Sequence, residues 1–310
     1  MIVLLNDNVK PVFGRHEKFT FRHGWLKKGV DAVKGNPTLF SSEEALVKLG
    51  VGKNMVRSIR HWCQTVGLLE EIEGSGRAQA LGPSSLATKL LSPGGWDPFL
   101  EEIATMWLVH WQLFSNQERS LVWYLIFSTY LETEFTKKQL VAQLTRQLEQ
   151  MNIRTTEGMI KREVDCFLST YVTSWSKAGV LSEESLDCPL TELNLIRFLP
   201  EDSVYRFNIG PKLSLPVEIF AFGLLSYLVR IARTRRTVAV EECVYQPGSP
   251  GQAFKLDENS VTEYLELVEN LTEGRIRLQE TAGLRQIYIH EANDNLLVEL
   301  ADALLNQFYD

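Results

Sequence analysis

From Ser41 to Val66 the chain reads SSEEALVKLGVGKNMVRSIRHWCQTV, and its apolar positions recur at helical rather than strand spacing. Turned at about 100° per residue, Met55, Val56, Ile59, Trp62, Cys63 and Val66 gather on one side of a helix that opens at Lys53. Lys53, Asn54, Arg57, Ser58, Arg60, His61 and Gln64 fall on the other side, which is therefore expected to face outward. Ser41 or Ser42 stands where a preceding helix needs its N-cap, Glu44 suits a capping box, and Gly50 and Gly52 bracket the turn between the two. The pattern predicts a helix-turn-helix whose second helix enters a major groove.

Leu68 to Glu73 and Arg77 to Leu81 read as two strands around Gly74-Ser75-Gly76, a wing with Arg77 at its tip. A short helix from Pro83-Ser84-Ser85 to Leu91 precedes the breaker Ser92-Pro93-Gly94-Gly95. Beyond Trp96 the spacing is helical over Glu101–Phe114, Glu118–Leu131, Thr136–Met151 and Thr155–Tyr171, with Trp107 and Trp111 on one core-facing side. A second helix-turn-helix stays open at Thr155–Tyr171, but the mixed signs of Lys161, Arg162 and Glu163 favour a packed helix. Strands are predicted at Leu193–Leu199 and Val204–Asn208, helices at Pro216–Thr234 and Asn259–Leu271, and a hairpin around Ala282-Gly283. Helix, helix, hairpin is a winged-helix order again. Here the outward positions are Glu258, Glu263, Glu266 and Glu269, which repel phosphate, so protein contact or a structural role is expected; Arg275, Arg277 and Arg285 keep a DNA role open. The expected fold is mainly α, with an N-terminal winged helix-turn-helix (1–95), a central helical domain (96–190) and a C-terminal winged-helix-like domain with short β-hairpins (191–310).

Charge sharpens this picture. The chain carries a net −7, yet residues 1–60 hold eleven Lys or Arg against five Asp or Glu, a balance of +6, and the remainder holds 21 against 34, a balance of −13. A basic head on an acidic body favours polyanion contact on one face, with strong salt dependence. Cys63, Cys166, Cys188 and Cys243 are far apart in sequence and form no CxxC pair, so neither zinc nor a disulfide framework is indicated. Leu121–Leu131 and Ile219–Val229 fall short of the roughly 20 residues of a membrane span. A cytoplasmic protein without a membrane segment is expected. Gly50-Val51-Gly52-Lys53 imitates a phosphate-binding loop, but Val47 and Asn54 stand where Gly and Ser or Thr are required, so nucleotide hydrolysis is rejected.

The outward set on the second helix combines cations, a histidine and amides without a carboxylate, a composition suited to phosphates and base edges of double-stranded DNA. Upstream, FGRHEKFTFRHGWLKKGVDAV offers Arg15, Arg22, Lys27 and Lys28 among aromatics, either a phosphate-tracking arm or a solvated loop leading to a first helix. A catalytic centre is hard to find. Metal-dependent strand cleavage needs convergent carboxylates around Mg or Mn, and only His16, Glu17 and Asp97, with Asp31, Glu101 and Glu102, offer fragments of one. Asp97 reads first as a cap and His16 as a salt-linked histidine. No cofactor other than such a divalent metal is called for.

Three long strings, FGRHEKFTFRHGWLKKGVDAV, LGVGKNMVRSIRHW and GGWDPFLEEIATMWLVHW, together resemble a bacterial domain-of-unknown-function family whose genes neighbour those of DNA phosphorothioation. The family includes the SspB-like subunits of Ssp-type systems. The resemblance covers at least residues 13–115 and implies a part in phosphorothioate modification or the antiphage defence that reads it, with DNA nicking as the ascribed activity. It also implies a cysteine desulfurase, an ATPase and an ATP-pyrophosphatase-like sulfur transferase as partners, and carries no assigned catalytic residue. A DNA-binding transcriptional regulator, an assembly adaptor and a homodimer stay open.

Overall fold

The computed structural model describes residues 9–72, 79–173, 188–232, 235–281, 283–290 and 293–310. It is mainly helical, with 13 helices and three small sheets among the described residues. Residues 9–124 join 134–206 in one compact unit, and 125–133 join the residues from 207 onward in a second.

The first unit opens with α1 (Trp25–Gly35), α2 (Glu44–Leu49) and α3 (Lys53–Thr65), followed by an antiparallel pair, β1 (Leu69–Glu71) with β2 (Leu81–Pro83), and α4 (Ser85–Leu91). Helix α1 occupies much of the segment that could have been an arm or loop. Lys27, Lys28, Asp31 and Lys34 on its outer side disguise an inner stripe of Trp25, Leu26, Val30 and Val33, all buried. It crosses α3 at Gly29, where a Cβ would meet the Cys63 sulfur at 2.5 Å and an Ile59 methyl at 3.0 Å. Only a residue without a side chain allows so close a crossing.

Behind this layer lie α5 (Ile103–Ser115) and the start of α6 (Leu121–Thr129), buried along almost their whole length. Trp107, Trp111, Phe114 and Trp123 fill the core there. Helices α7 (Lys137–Gln150) and α8 (Glu157–Tyr171) start at threonine caps, Thr136 in a full capping box with Gln139, and Thr156 accepting from the Met159 amide. A three-stranded sheet in the order β3 (Glu134–Phe135), β5 (Val204–Phe207), β4 (Ile196–Leu199) completes these elements.

The second unit contains α9 (Val217–Ile231), β6 (Thr237–Ala239), α10 (Val240–Tyr245), α11 (Pro250–Phe254), α12 (Glu258–Leu271), β7 (Ile276–Thr281), β8 (Leu284–Ile289) and α13 (Asp294–Tyr309). The last three strands form a sheet in the order β6-β8-β7, with Arg277 opposite Tyr288. The stretch 246–252, whose prolines and glycines read in the sequence as a break, instead leads into helix α11 at Pro250. Two lysines are buried in this unit: Lys255 donates to the Phe127 carbonyl at 2.6 Å and sits 4.3 Å from the Phe207 ring centre, and Lys212 donates to the carbonyls of Asn208, Gly210 and Lys255. Burial pushes Lys255 down to about 7 and Lys212 to about 8.

None of the described helices is long and apolar enough to cross a membrane. The four cysteines are buried and unbridged, and burial raises every thiol, Cys188 to about 12 and Cys63, Cys166 and Cys243 likewise upward.

Candidate nucleic-acid interface

Helix α3 presents less surface than its two-faced pattern predicts. Lys53, Asn54 and Arg57 are exposed and Arg60 is half-buried, but Ser58 is 0 %, His61 4 % and Gln64 8 % exposed. These three were expected to face outward and instead lie inside. The helix is enclosed on several sides: α1 crosses it at Gly29, and His16, Trp62 and Trp123 form a ring cluster around its second half, with His61 5.2 Å from the Trp62 ring and 6.1 Å from His16. Burial, reinforced by His16, Arg119 and Arg15, holds His61 well below the usual imidazole range, so it is neutral at pH 7.

The other cations divide in the same way. Arg15 is exposed, whereas Arg22 stacks on the Trp25 ring at 5.4 Å. Lys27 pairs with Asp31, and Lys28 donates to the Leu49 carbonyl at 3.1 Å. Arg77 lies outside the described residues.

What the fold brings together is a cleft of about 510 Å³ lined by Arg15, Arg57, Arg60 and Arg119, with His61, Gln79 and the carboxylates Glu17 and Glu118 also at its wall. Arg119 had no local sequence signal; it is placed by the turn before α6. Asn116 donates to the Thr65 carbonyl at the end of α3 (2.9 Å) and accepts from the Arg119 amide (3.0 Å), which carries the arginine back beside the helix. Gln79 bridges Arg60 and Glu71. Arg57 lies 3.3 Å from Glu17, and Arg119 approaches Glu71 and Glu118 only at 3.9 and 4.0 Å. Burial, then the charge of Arg119, lowers Arg60 below its ordinary value. Four guanidinium groups against two lining carboxylates, of which only Glu17 is hydrogen-bonded to one of them, suit an entering anion, above all one that accepts two parallel hydrogen bonds, as phosphate does.

The catalytic candidates do not converge. His16 is 1 % exposed, accepts from the Lys18 amide through Nδ1 and faces Glu163 at 3.3 Å, while Glu163 accepts from the Gly14 amide. Glu17 belongs to Arg57. Both oxygens of Asp97 are taken by the amides of Glu101 (2.9 Å) and Glu102 (3.0 Å), so it caps the turn ahead of α5. Among the described residues no group of three or more His, Cys, Asp or Glu side chains could hold a metal ion.

A mainly helical protein with small antiparallel sheets and an arginine-lined cleft beside a three-helix-and-hairpin layer is thus defined. The chain belongs to the family described as "Protein of unknown function (DUF4007)", whose model matches residues 13–309. It is similar to a magnesium ion-bound SspB crystal structure, at 31 % identity and a TM-score of 0.87 over 97 % of this chain and 89 % of that one. A second SspB crystal structure matches at 32 % identity with the same TM-score and coverage. No curated protein matches the chain.

Proposed function

We propose that this protein is a DNA-binding component of a phosphorothioation modification and defence system. Two winged helices are assigned, one from α1–α3 with β1–β2 and one from α12 with β7–β8, and the first meets the duplex. Arg15, Arg57, Arg60 and Arg119 hold backbone phosphates in their cleft, and Lys53 and Asn54 at the exposed start of α3 reach toward the groove. The single observation that carries this reading is the convergence of four arginines, from three separate stretches of sequence, on one cleft. Arg57→Ala with Arg60→Ala is expected to weaken duplex binding roughly ten- to hundred-fold and to lower the salt slope by about 2, measured by gel-shift titration across salt concentrations. Unchanged affinity at low salt would falsify the reading.

Nicking is a second reading, supported by likeness to a magnesium ion-bound SspB structure. Among the described residues no group of three or more His, Cys, Asp or Glu side chains could hold such an ion. Incubation of supercoiled plasmid with Mg²⁺ or Mn²⁺, with and without chelator, decides between cleavage and binding alone: absence of open-circle product under either metal removes the enzymatic reading. The sulfur-transfer and ATPase partners, and a homodimer, belong to the same proposal and are tested by co-purification and by mass in solution.

A further inference from the structure

The GGWDPFLEE string has no role in the reading above, yet its loop is built with unusual rigidity. Gly95 presses against the end of α4, where a Cβ would meet the carbonyl oxygens of Lys89 at 2.5 Å and Leu90 at 2.9 Å. The amides of Trp96 and Asp97 donate to those same two carbonyls at 2.9 and 3.1 Å, and the Asp97 carboxylate ties down the amides of Glu101 and Glu102. Leu100 is driven to a φ of 60°, a left-handed setting uncommon for a branched side chain, while its side chain is buried as an anchor. What the loop holds out is Phe99, 72 % exposed. Strained, pre-organised backbone that displays a large apolar ring is a feature of contact surfaces.

The surroundings of Phe99 indicate what it contacts. With Lys27, Lys28 and Lys48 it lines a cleft of about 480 Å³, whose only carboxylate among the lining residues, Asp31, is engaged by Lys27 and Lys34. An aromatic ring rimmed by ammonium groups suits a polyanion that carries flat aromatic groups of its own. Lys28 holds the Leu49 carbonyl, immediately ahead of the Gly50–Gly52 turn into α3, so this cleft borders the proposed DNA-reading helix. We infer that Phe99 is a stacking platform for an unpaired nucleobase, with Lys27, Lys28 and Lys48 on its flanking phosphates. The inference rests on the DNA reading above and extends it from paired duplex to a duplex bearing a displaced or bulged nucleotide.

The test uses the full chain with two DNAs, a fully paired duplex and the same duplex with a bulged 2-aminopurine, whose emission falls on stacking. The wild type and Phe99→Trp are expected to quench the bulged probe, and Phe99→Ala to leave it bright. Affinity of Phe99→Ala for bulged DNA falls roughly ten-fold while paired-duplex affinity stays within about two-fold. Quenching by Phe99→Ala equal to that of the wild type overturns the inference, as does an equal loss on both DNAs. Lost co-purification of a protein partner with unaltered emission overturns it as well, by assigning Phe99 to a protein surface. Duplex binding that survives these outcomes shows that stacking alone has failed; a wild type that binds neither DNA takes the DNA reading down with it.

Discussion

Helices α3 and α12 occupy the same place in two successive runs of helices and hairpin, and they carry opposite charge. The exposed start of α3 is Lys53, Asn54 and Arg57, whereas α12 exposes Glu263 and Glu266. Of the hairpin arginines, Arg285 pairs with Glu258 while Arg275 and Arg277 stay exposed, and Glu269 accepts from the Leu278 amide. The supports also differ. Helix α3 rests on a glycine crossing against α1, and the unit of α12 is stitched by two buried lysines whose heads bind carbonyls. The same order of elements therefore supports two surfaces with different electrostatic duties, and the side chains decide which one can meet a polyanion.

The sharpest way to break the comparison is at the crossing. Gly29→Ala inserts a methyl into the contact with Cys63 and Ile59 and is expected to destabilise the first unit by roughly 1–3 kcal/mol, read by denaturant midpoint, with duplex binding lost in parallel. A smaller effect is expected from the lysines. Their folded values, about 7 and 8, lie below the ordinary 10.5, so between those limits the unfolded chain binds more protons than the folded one and stability rises with pH. Lys255→Met is expected to flatten that rise, by roughly 5 °C in Tm between pH 7 and 9.5 relative to the wild type, and an unchanged slope would refute the assignment. The smallest effect tests the acidic helix itself. Glu263→Gln with Glu266→Gln is expected to move duplex affinity by less than about two-fold, since exposed charges that make no direct contact with the duplex are screened by salt; a larger gain would mean that α12 also meets DNA.

Much of the helical framework was legible in the sequence, because α7, α8 and α12 keep an apolar period behind the side-chain caps Thr136, Thr156 and Asp257, and α5 and α9 are mostly apolar runs of helical length. Helix α1 was obscured by four charged residues outside and two glycines within its span. The outward face of α3 was misread at Ser58, His61 and Gln64 for a different reason: a helical wheel sorts polar from apolar but cannot see that a helix is enclosed on several sides. Thr65, for instance, donates to the His61 carbonyl at 2.7 Å inside the fold. Arg119 and Gln79 reach the cleft through long-range packing and left no local trace, and Phe99 was hidden inside a string whose neighbours are all structural.

The buried cysteines have a consequence for the company this protein is proposed to keep. Sulfur carriers pass their cargo between reactive thiolates, and a protonated thiol sealed in a core neither attacks a persulfide nor accepts from one. Cys63, Cys166, Cys188 and Cys243 are all of that kind. Standing beside a desulfurase and a sulfur transferase, the chain would be a bystander to the traffic, able to position DNA for the exchange without diverting a single sulfur atom onto itself.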